Sequence, residues 1–483
     1  MNVMVTGFPA EFEGKLKASE LSTKQLVELL EKALHLPPAD APGGSMESLQ
    51  SYLRMIRQFA DMANSYQNLI PAKCDILSII KLSGFLLDLN LEEFKRISGN
   101  LWPMLDSTDL PDGMALSTDP ANTSAWESKI GRFVEKLPDE IDLTDGSQDH
   151  QLEETAVDLI NEFPSIFELQ ALDKWLTSRQ KARKNALYLA LKMACSRMFV
   201  RQINTSMHVS LIIAMYNEHN RIFPKQKGNP NGEDLVRRKV RQLTWLFSDT
   251  SITFDLLFVD DGCPNQSGEK ARQIIASEGL VNAKVLFLKD AIEKQLPVIN
   301  RLNTTDESRK GGAIQYGMWQ SLLDHEGRGN THVIVYTDAD MAAPVHQLGL
   351  LLAGLDEKNR VAIGSRYNMG SICRGPWGRN DEVQGLTEFD RLMVSLRGLL
   401  FSRLFPQTGR ITDTQCAFKA FGADLLNRII LKTSIRTFSF DVEFLVLSAA
   451  AGSSIAVAPI YWHDSAAESN FWRSGSNGTD TAD

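Results

Sequence analysis

The sequence predicts an α/β protein: a mostly parallel, Rossmann-like sheet flanked by helices over residues 206–465, preceded by a mainly α-helical segment over 1–205. Three observations predict this. After Met207, apolar runs of strand length alternate with helical stretches. Before it, apolar residues recur at helical spacing and alternating β-branched runs are nearly absent. Finally, the charged residues best suited to chemistry fall where each apolar run ends, beyond the carboxyl ends of the strands, where such sheets bind ligands.

Taken in order, residues 22–36 put Leu26, Leu29, Leu30, Ala33 and Leu34 on one face, with Ser22 or Thr23 as cap. Residues 45–70 repeat the pattern up to the breaker Pro71. Further helices are expected over 91–97, 124–137, 152–163 and 166–203, with loops over 103–119 and 138–148. The last of these helices carries Lys174, Arg179, Lys181, Arg183, Lys184, Arg197 and Arg201, either a solvated face or a contact for an anionic membrane surface. The second half then reads as HVSLIIAM and a helix near 235–247; FDLLFVDD and a helix over 269–276; AKVLFL and a helix over 312–323; HVIVYTDAD and a helix over 345–355; and VAIGSR. Residues 466–483 are polar and predict a flexible tail.

Bulk properties narrow the class. With 483 residues, 43% hydrophobic and 23% charged, the chain has the balance of a globular protein of two or three domains. A net charge of −9 argues against a nucleic-acid partner. Cys74, Cys195, Cys263, Cys373 and Cys416 show no metal-ligand or disulfide spacing, which predicts free thiols in a reducing compartment. The first residues show no signal-peptide pattern, and the longest apolar candidate for a span, 76–89, is broken by Lys81, Ser83 and Asp88. The expectation is a cytoplasmic protein, at most peripheral at the inner face of a membrane.

Asp338 and Asp340 follow an apolar run directly. Two residues apart in extended chain, their carboxylates face one point, and hard oxygen ligands suit Mg2+ or Mn2+ shared with substrate phosphates. A solvated turn is the plain alternative for an isolated pair. Asp260 and Asp261, before Gly262 and Pro264, are either turn residues or acceptors for a base or ribose. Arg309 and Lys310, before Gly311 and Gly312, put cations at a helix start that favours a diphosphate; a glycine turn beside solvated charges is the alternative.

The segments AMYNEHNRI, FVDDGCPN, SRKGGAIQYGM, YTDADMAAP, GSRY, TDTQCAFKAF and FSFDVEFL, in this order over about half the chain, resemble the inverting family-2 glycosyltransferases of GT-A fold. Within them the resemblance is greatest to polyprenyl-phosphate (dolichyl-phosphate) glucosyl- and mannosyltransferases. It implies a nucleotide-sugar donor, a UDP- or GDP-hexose, and a polyprenyl phosphate acceptor. It further implies donor binding by Tyr216, Asn217, Glu218, Asp260, Lys310, Asp338, Asp413 and Gln415, with Asp340 and Asp338 as metal ligands. Arg366 and Arg391 match arginines aimed at an acceptor phosphate, and Lys419 lies in the stretch that shapes the sugar pocket. Asp441 and Glu443 stand where relatives acting on hydroxyls keep a general base; a charge pair between Asp441 and Arg436 is the structural alternative. His463 is a further candidate for the metal shell, though a histidine beside aromatics is commonly structural.

The chain departs from the family pattern in a longer polar loop over 222–234, in a long connection from Leu288 to Arg309, and in lacking membrane helices. Both insertions belong to the strand-end side and suit a lid or acceptor surface. Three functions compete: hexosyl transfer to a phosphate, transfer to a hydroxyl of a soluble glycan, protein or metabolite, and an inactive nucleotide-sugar-binding scaffold. A nucleotidyltransferase is a more remote fourth. The segment 1–205 would serve as a homo-oligomer interface, a partner dock or an acceptor platform.

Overall fold

The computed structural model describes residues 120–138, 141–177, 185–308, 310–328, 331–368, 370–374, 408–409, 411, 413–437 and 440–463. The chain divides into two compact units, Met1–Gly113 with Leu392–Ile411 and Met114–Arg391 with Thr412–Asp483, and every element below belongs to the second. The helices expected over 22–36, 45–70 and 91–97, Arg391 and the tail 466–483 lie outside the described residues.

Four helices open the described chain: α1 (Pro120–Lys136), α2 (Ser147–Glu162), α3 (Ile166–Thr177) and α4 (Asn185–Arg201). Where one helix was expected over 166–203 there are two, α3 and α4. The charge on α4 gives a poor picture of its setting. From Ala186 to Arg197 it is buried throughout, and Lys192 is paired with Asp173 at 2.6 Å. Arg197 stacks on the Trp245 ring and donates to Ser248 Oγ at 2.7 Å.

The sheet has seven strands in the order β3-β2-β1-β4-β7-β5-β8. These are β1 (His208–Met215), β2 (Thr253–Asp260), β3 (Ala283–Phe287), β4 (His332–Thr337), β5 (Val361–Ser365), β7 (Lys419–Gly422) and β8 (Ile455–Pro459). Strands β6 (Ile372–Arg374) and β9 (Tyr461–His463) pair separately. All sheet pairings are parallel except those of β7, which runs against both β4 and β5. β4 is buried at every residue, as expected of a central strand covered on both faces. The helices α5 (Leu235–Phe247), α6 (Ser267–Ser277) and α8 (Gly311–Asp324) fall where predicted. The helix expected over 345–355 is shorter: a 3-10 turn, Val345–Gln347, leads into α9 (Leu348–Leu352). The connection after β3 carries α7 (Leu288–Glu293), and α10 (Ala423–Ile429) and α11 (Phe440–Ala450) complete the described helices.

One apolar core runs from Ile130, Leu159 and Leu191 in the helices to Val209, Phe258 and Val335 in the sheet. A buried ion pair reinforces it. The Arg238 guanidinium on α5 meets Asp149 on α2 through Nε at 2.8 Å and Nη2 at 2.6 Å, while Nη1 donates to Leu143 O at 2.7 Å. Close approach between elements depends on glycine at Gly349 and Gly317. A Cβ on Gly349 would lie 2.1 Å from Ser196 O, and one on Gly317 would lie 2.5 Å from Ile212 Cγ2. These glycines let α9 reach α4 and let α8 lie directly on the sheet. No helix among the described residues is long and apolar enough to cross a membrane.

Candidate active site

The segments singled out in the sequence meet at the carboxyl ends of β1, β2 and β4. β4 stops at Thr337, and Asp338 and Asp340 emerge from it partly exposed. Asp338 Oδ1 accepts an ionic hydrogen bond from Lys310 Nζ. Asp340 Oδ1 accepts from Ala342 N at 3.1 Å, which turns the chain after the pair. Each carboxylate keeps its second oxygen for another partner, and both are hard donors of the kind Mg2+ or Mn2+ takes; the pair fits such an ion.

Lys310 is held in place by its backbone. It has φ +77, outside the usual range for a side chain, and its N–H donates to Asp261 Oδ2 at 2.6 Å. Gly311 and Gly312 follow because nothing larger fits. A Cβ on Gly311 would meet the Arg436 carbonyl carbon at 2.6 Å, and one on Gly312 would meet Ser308 Oγ at 2.7 Å. Helix α8 therefore begins beside Lys310 and the second strand end, with Gly312 N–H donating to Arg436 O at 3.1 Å and Ala313 N–H to Ser308 Oγ at 3.2 Å.

A second ring of charge lies behind the pair. The Lys239 ammonium, fully buried on α5, donates to Asp340 O at 2.9 Å. Arg221 donates through Nη1 to Glu218 Oε2 at 2.7 Å and through Nε to Glu233 Oε1 at 3.1 Å. The other Glu233 oxygen accepts Met341 N at 2.9 Å. The polar loop 222–234 thus ends on a carboxylate that holds the acidic turn itself.

The field is mixed. Burial raises the Asp338 carboxyl, but Lys310, then Lys239 and Arg366, bring it below the usual range. Asp340 is raised, by burial and by the charge of Asp338. Burial pushes Glu218 to about 7 against the pull of Arg221, and Asp261 to about 6. Burial lowers Lys239 to about 8, although Asp340, Glu233 and Asp338 oppose this. The two carboxylates thus differ: Asp338 is matched by Lys310, while burial and the charge of Asp338 itself hold Asp340 up against Arg221 and Lys239.

Other expected residues are placed as follows. Tyr216 is 43% exposed at the mouth, beside Asn217, whose Oδ1 accepts Asn265 Nδ2 at 2.9 Å. Asp260 holds its own turn, accepting Gly262 N at 3.0 Å, Cys263 N at 2.9 Å and Gly268 N at 2.8 Å. Asp261, its neighbour, is the one that reaches the Lys310 segment. Asp413 is buried and takes the Arg366 fork, Nε at 2.9 Å and Nη2 at 2.8 Å, so its oxygens serve that arginine. Gln415 is partly buried nearby in the chain. Arg436 is not the partner of Asp441: the carboxylate pairs instead with Lys419 Nζ and accepts from Tyr336 OH, out of solvent. Glu443 is equally enclosed, bonded to Ser434 and Ile435. His463 N donates to Ala342 O at 2.9 Å, which ties β9 to the acidic turn, and burial, with Arg374, keeps its imidazole pKa low.

Sequence patterns do not single out Lys239, Arg221 or Glu233 as parts of the site. For Lys239 a signal exists: it sits four residues from Leu235 and from Leu243, on the apolar face of α5. Arg221 and Glu233 reach the site through a loop, where no periodicity announces direction.

No protein-family model matches the chain. Over 259 residues it is 25% identical to the dolichyl-phosphate beta-glucosyltransferase ALG5A of Trichomonas vaginalis, covering 54% of this chain and 67% of that protein. Over 260 residues it is 26% identical to the human dolichyl-phosphate beta-glucosyltransferase, covering 53% and 67%. The chain thus spans about two thirds of the length of these relatives. Among solved structures, mannosyl-3-phosphoglycerate synthase from Rubrobacter xylanophilus aligns with a TM-score of 0.33 and 13% identity, over 58% of this chain and 72% of that one.

Proposed function

We propose that this GT-A glycosyltransferase, similar in sequence to dolichyl-phosphate beta-glucosyltransferases, moves a hexose from a UDP- or GDP-sugar to the phosphate of a polyprenyl phosphate. The observation that carries the donor half is the pair Asp338 and Asp340, partly open to solvent and flanked by Lys310 and the N-terminus of α8. A divalent ion on these carboxylates would neutralise the leaving diphosphate. Lys310 supplies a positive charge on the same side, its backbone N–H anchored on Asp261 and its ammonium held by Asp338. Tyr216 and Asn217 offer the open edge for the base, and Asp261, with one oxygen lacking a hydrogen-bond partner, is better placed than Asp260 to accept from the donor.

The acceptor half rests on Asp441. A hydroxyl acceptor needs a carboxylate within reach to take its proton. Asp441 is enclosed, its charge matched by Lys419 and its oxygen held by Tyr336. A phosphate acceptor is already anionic and needs only positioning. Arg366 suits that role, because Asp413 holds one edge of its guanidinium, which lies 5.4 Å from the Trp462 ring centre, and Arg391 is proposed as its companion. The single displacement inverts the anomeric carbon. The helices α1 to α4 back the site by bracing α5, which bears Lys239.

The test is transfer from labelled UDP-glucose and GDP-mannose, with and without Mn2+, to polyprenyl phosphates and to free alcohols. Product on the lipid phosphate with release of a nucleoside diphosphate supports the proposal. Transfer to alcohols alone would replace the acceptor half, release of pyrophosphate would indicate nucleotidyl transfer, and donor binding without turnover would leave a scaffold.

A further inference from the structure

At the opposite end of the sheet, where β1, β2 and β4 begin, polar residues gather on one face. Register places His208 beside Thr253 and His332, and Ser210 beside Asp255. Helix α8 crosses this face and ends at Asp324, so the next residue, His325, drops onto the same cluster. His208 Nε2 lies 3.2 Å from Asp255 Oδ1, and His325 Nε2 lies 3.1 Å from Asp255 Oδ2. The two imidazole rings are 4.0 Å apart, centre to centre.

We propose that His208, Asp255 and His325 form a second metal site, for Zn2+ or a similar borderline divalent ion, separate from the carboxylate pair at the catalytic end. One ligand atom from each of the three lies within 4.8 Å of the others, the spread that a single ion can span. Two imidazole nitrogens and a carboxylate oxygen form a three-ligand set that suits Zn2+ in tetrahedral geometry, with water in the fourth place, and suits Mg2+ poorly. The supporting contacts are also those of a metal site. The second nitrogen of His208, Nδ1, is 2.8 Å from Thr253 Oγ1, which orients the ring and points Nε2 inward. His332 closes the back of the cluster. Its Nε2 is engaged by Ser210 Oγ at 3.0 Å and Ser321 Oγ at 3.3 Å, so it shields the site rather than joining it. His208 is buried while Asp255 and His325 keep some exposure, which leaves a path for the ion.

An ion here would clamp the carboxyl end of α8 to the first two strands. The amino end of the same helix follows Lys310 and begins with Gly311 and Gly312. Fourteen residues at about 1.5 Å each separate the two ends by about 20 Å, so the site would act on the register of the helix and not on the donor itself.

The full chain, made without a polyhistidine tag and stripped with a chelator, is titrated with Zn2+ against a chromophoric competitor. A parallel titration with Co2+ follows visible absorption. The expected result is one equivalent of Zn2+, bound equally by the Asp340→Asn variant, with the intense bands of tetrahedral Co2+. His325→Gln, a change at a partly exposed helix end, should weaken binding at least about tenfold and abolish those bands; His208→Gln should match it. The proposal is overturned if the wild-type chain takes up no Zn2+, if His325→Gln binds as tightly as wild type, or if Asp340→Asn alone removes the binding. None of these outcomes depends on glycosyl transfer, so the site stands or falls apart from the proposed reaction.

Discussion

Glu233 bonds the acidic turn and its arginine at once: Oε2 accepts Met341 N at 2.9 Å and Oε1 accepts Arg221 Nε at 3.1 Å. Its side chain is fully buried, so neither bond competes with water. Loss of the charge should loosen the backbone beside Asp340 without removing a metal ligand. Glu233→Gln is expected to weaken the Mn2+ dependence of transfer by about 10-fold, the usual scale for groups that orient ligands. A Mn2+ titration of initial rates checks this; an unchanged half-saturating concentration would contradict the positioning role.

Asp340→Asn should lower kcat by at least about 100-fold, the scale on which charge stabilisation at a leaving group is lost. The fold should not suffer. Asp338 and Asp340 repel one another, as the raised Asp340 carboxyl shows, so the variant should melt no lower than wild type in chelator. Rates and thermal melts on the same preparation separate lost chemistry from lost fold.

Glu218 predicts a particular pH dependence of stability. Burial raises its pKa from 4.5 to about 7, so the folded state keeps a proton that the unfolded chain has released. The stabilisation is fully present below pH 4.5 and is lost as pH rises through about 7. Urea midpoints between these limits should fall less steeply in Glu218→Gln than in wild type, measured without metal or donor. Parallel curves for the two proteins would count against the shift.

The pair of Asp149 and Arg238 should be costly to break and cheap to replace. Arg238→Met leaves a buried carboxylate without its partner and is expected to destabilise by about 3–5 kcal/mol. The double change Asp149→Leu with Arg238→Met should recover most of that loss. Denaturant unfolding of the three variants decides it, and an additive loss in the double variant would refute the account.

Much of the site is legible in residue order alone. Asp338, Asp340, Lys310 and Tyr216 each follow or precede a long apolar run whose end is visible in the sequence, and strand ends in a parallel sheet converge. Asp413 and Asp441 are harder. Their types suit chemistry, but whether a carboxylate is free or paired depends on what lies across from it. Here Arg366 and Lys419 take them. The strand β7 escapes a sequence reading for a similar reason: it is short, and its antiparallel place between β4 and β5 is set by partners distant in sequence.

By itself, the sequence determined the alternation of strands and helices after Met207, the place of the acidic pair, and the glycines that admit α8. Those are local properties, written in periodicity, residue size and backbone freedom. Only the tertiary structure decided that the helices from Pro120 to Arg201 share the core of the sheet, that Lys239 and Glu233 support the acidic turn, and that three residues far apart in the chain meet as His208, Asp255 and His325. The reason is physical: pairing of buried charges is a relation between chain segments, and residue order does not say which surfaces will meet.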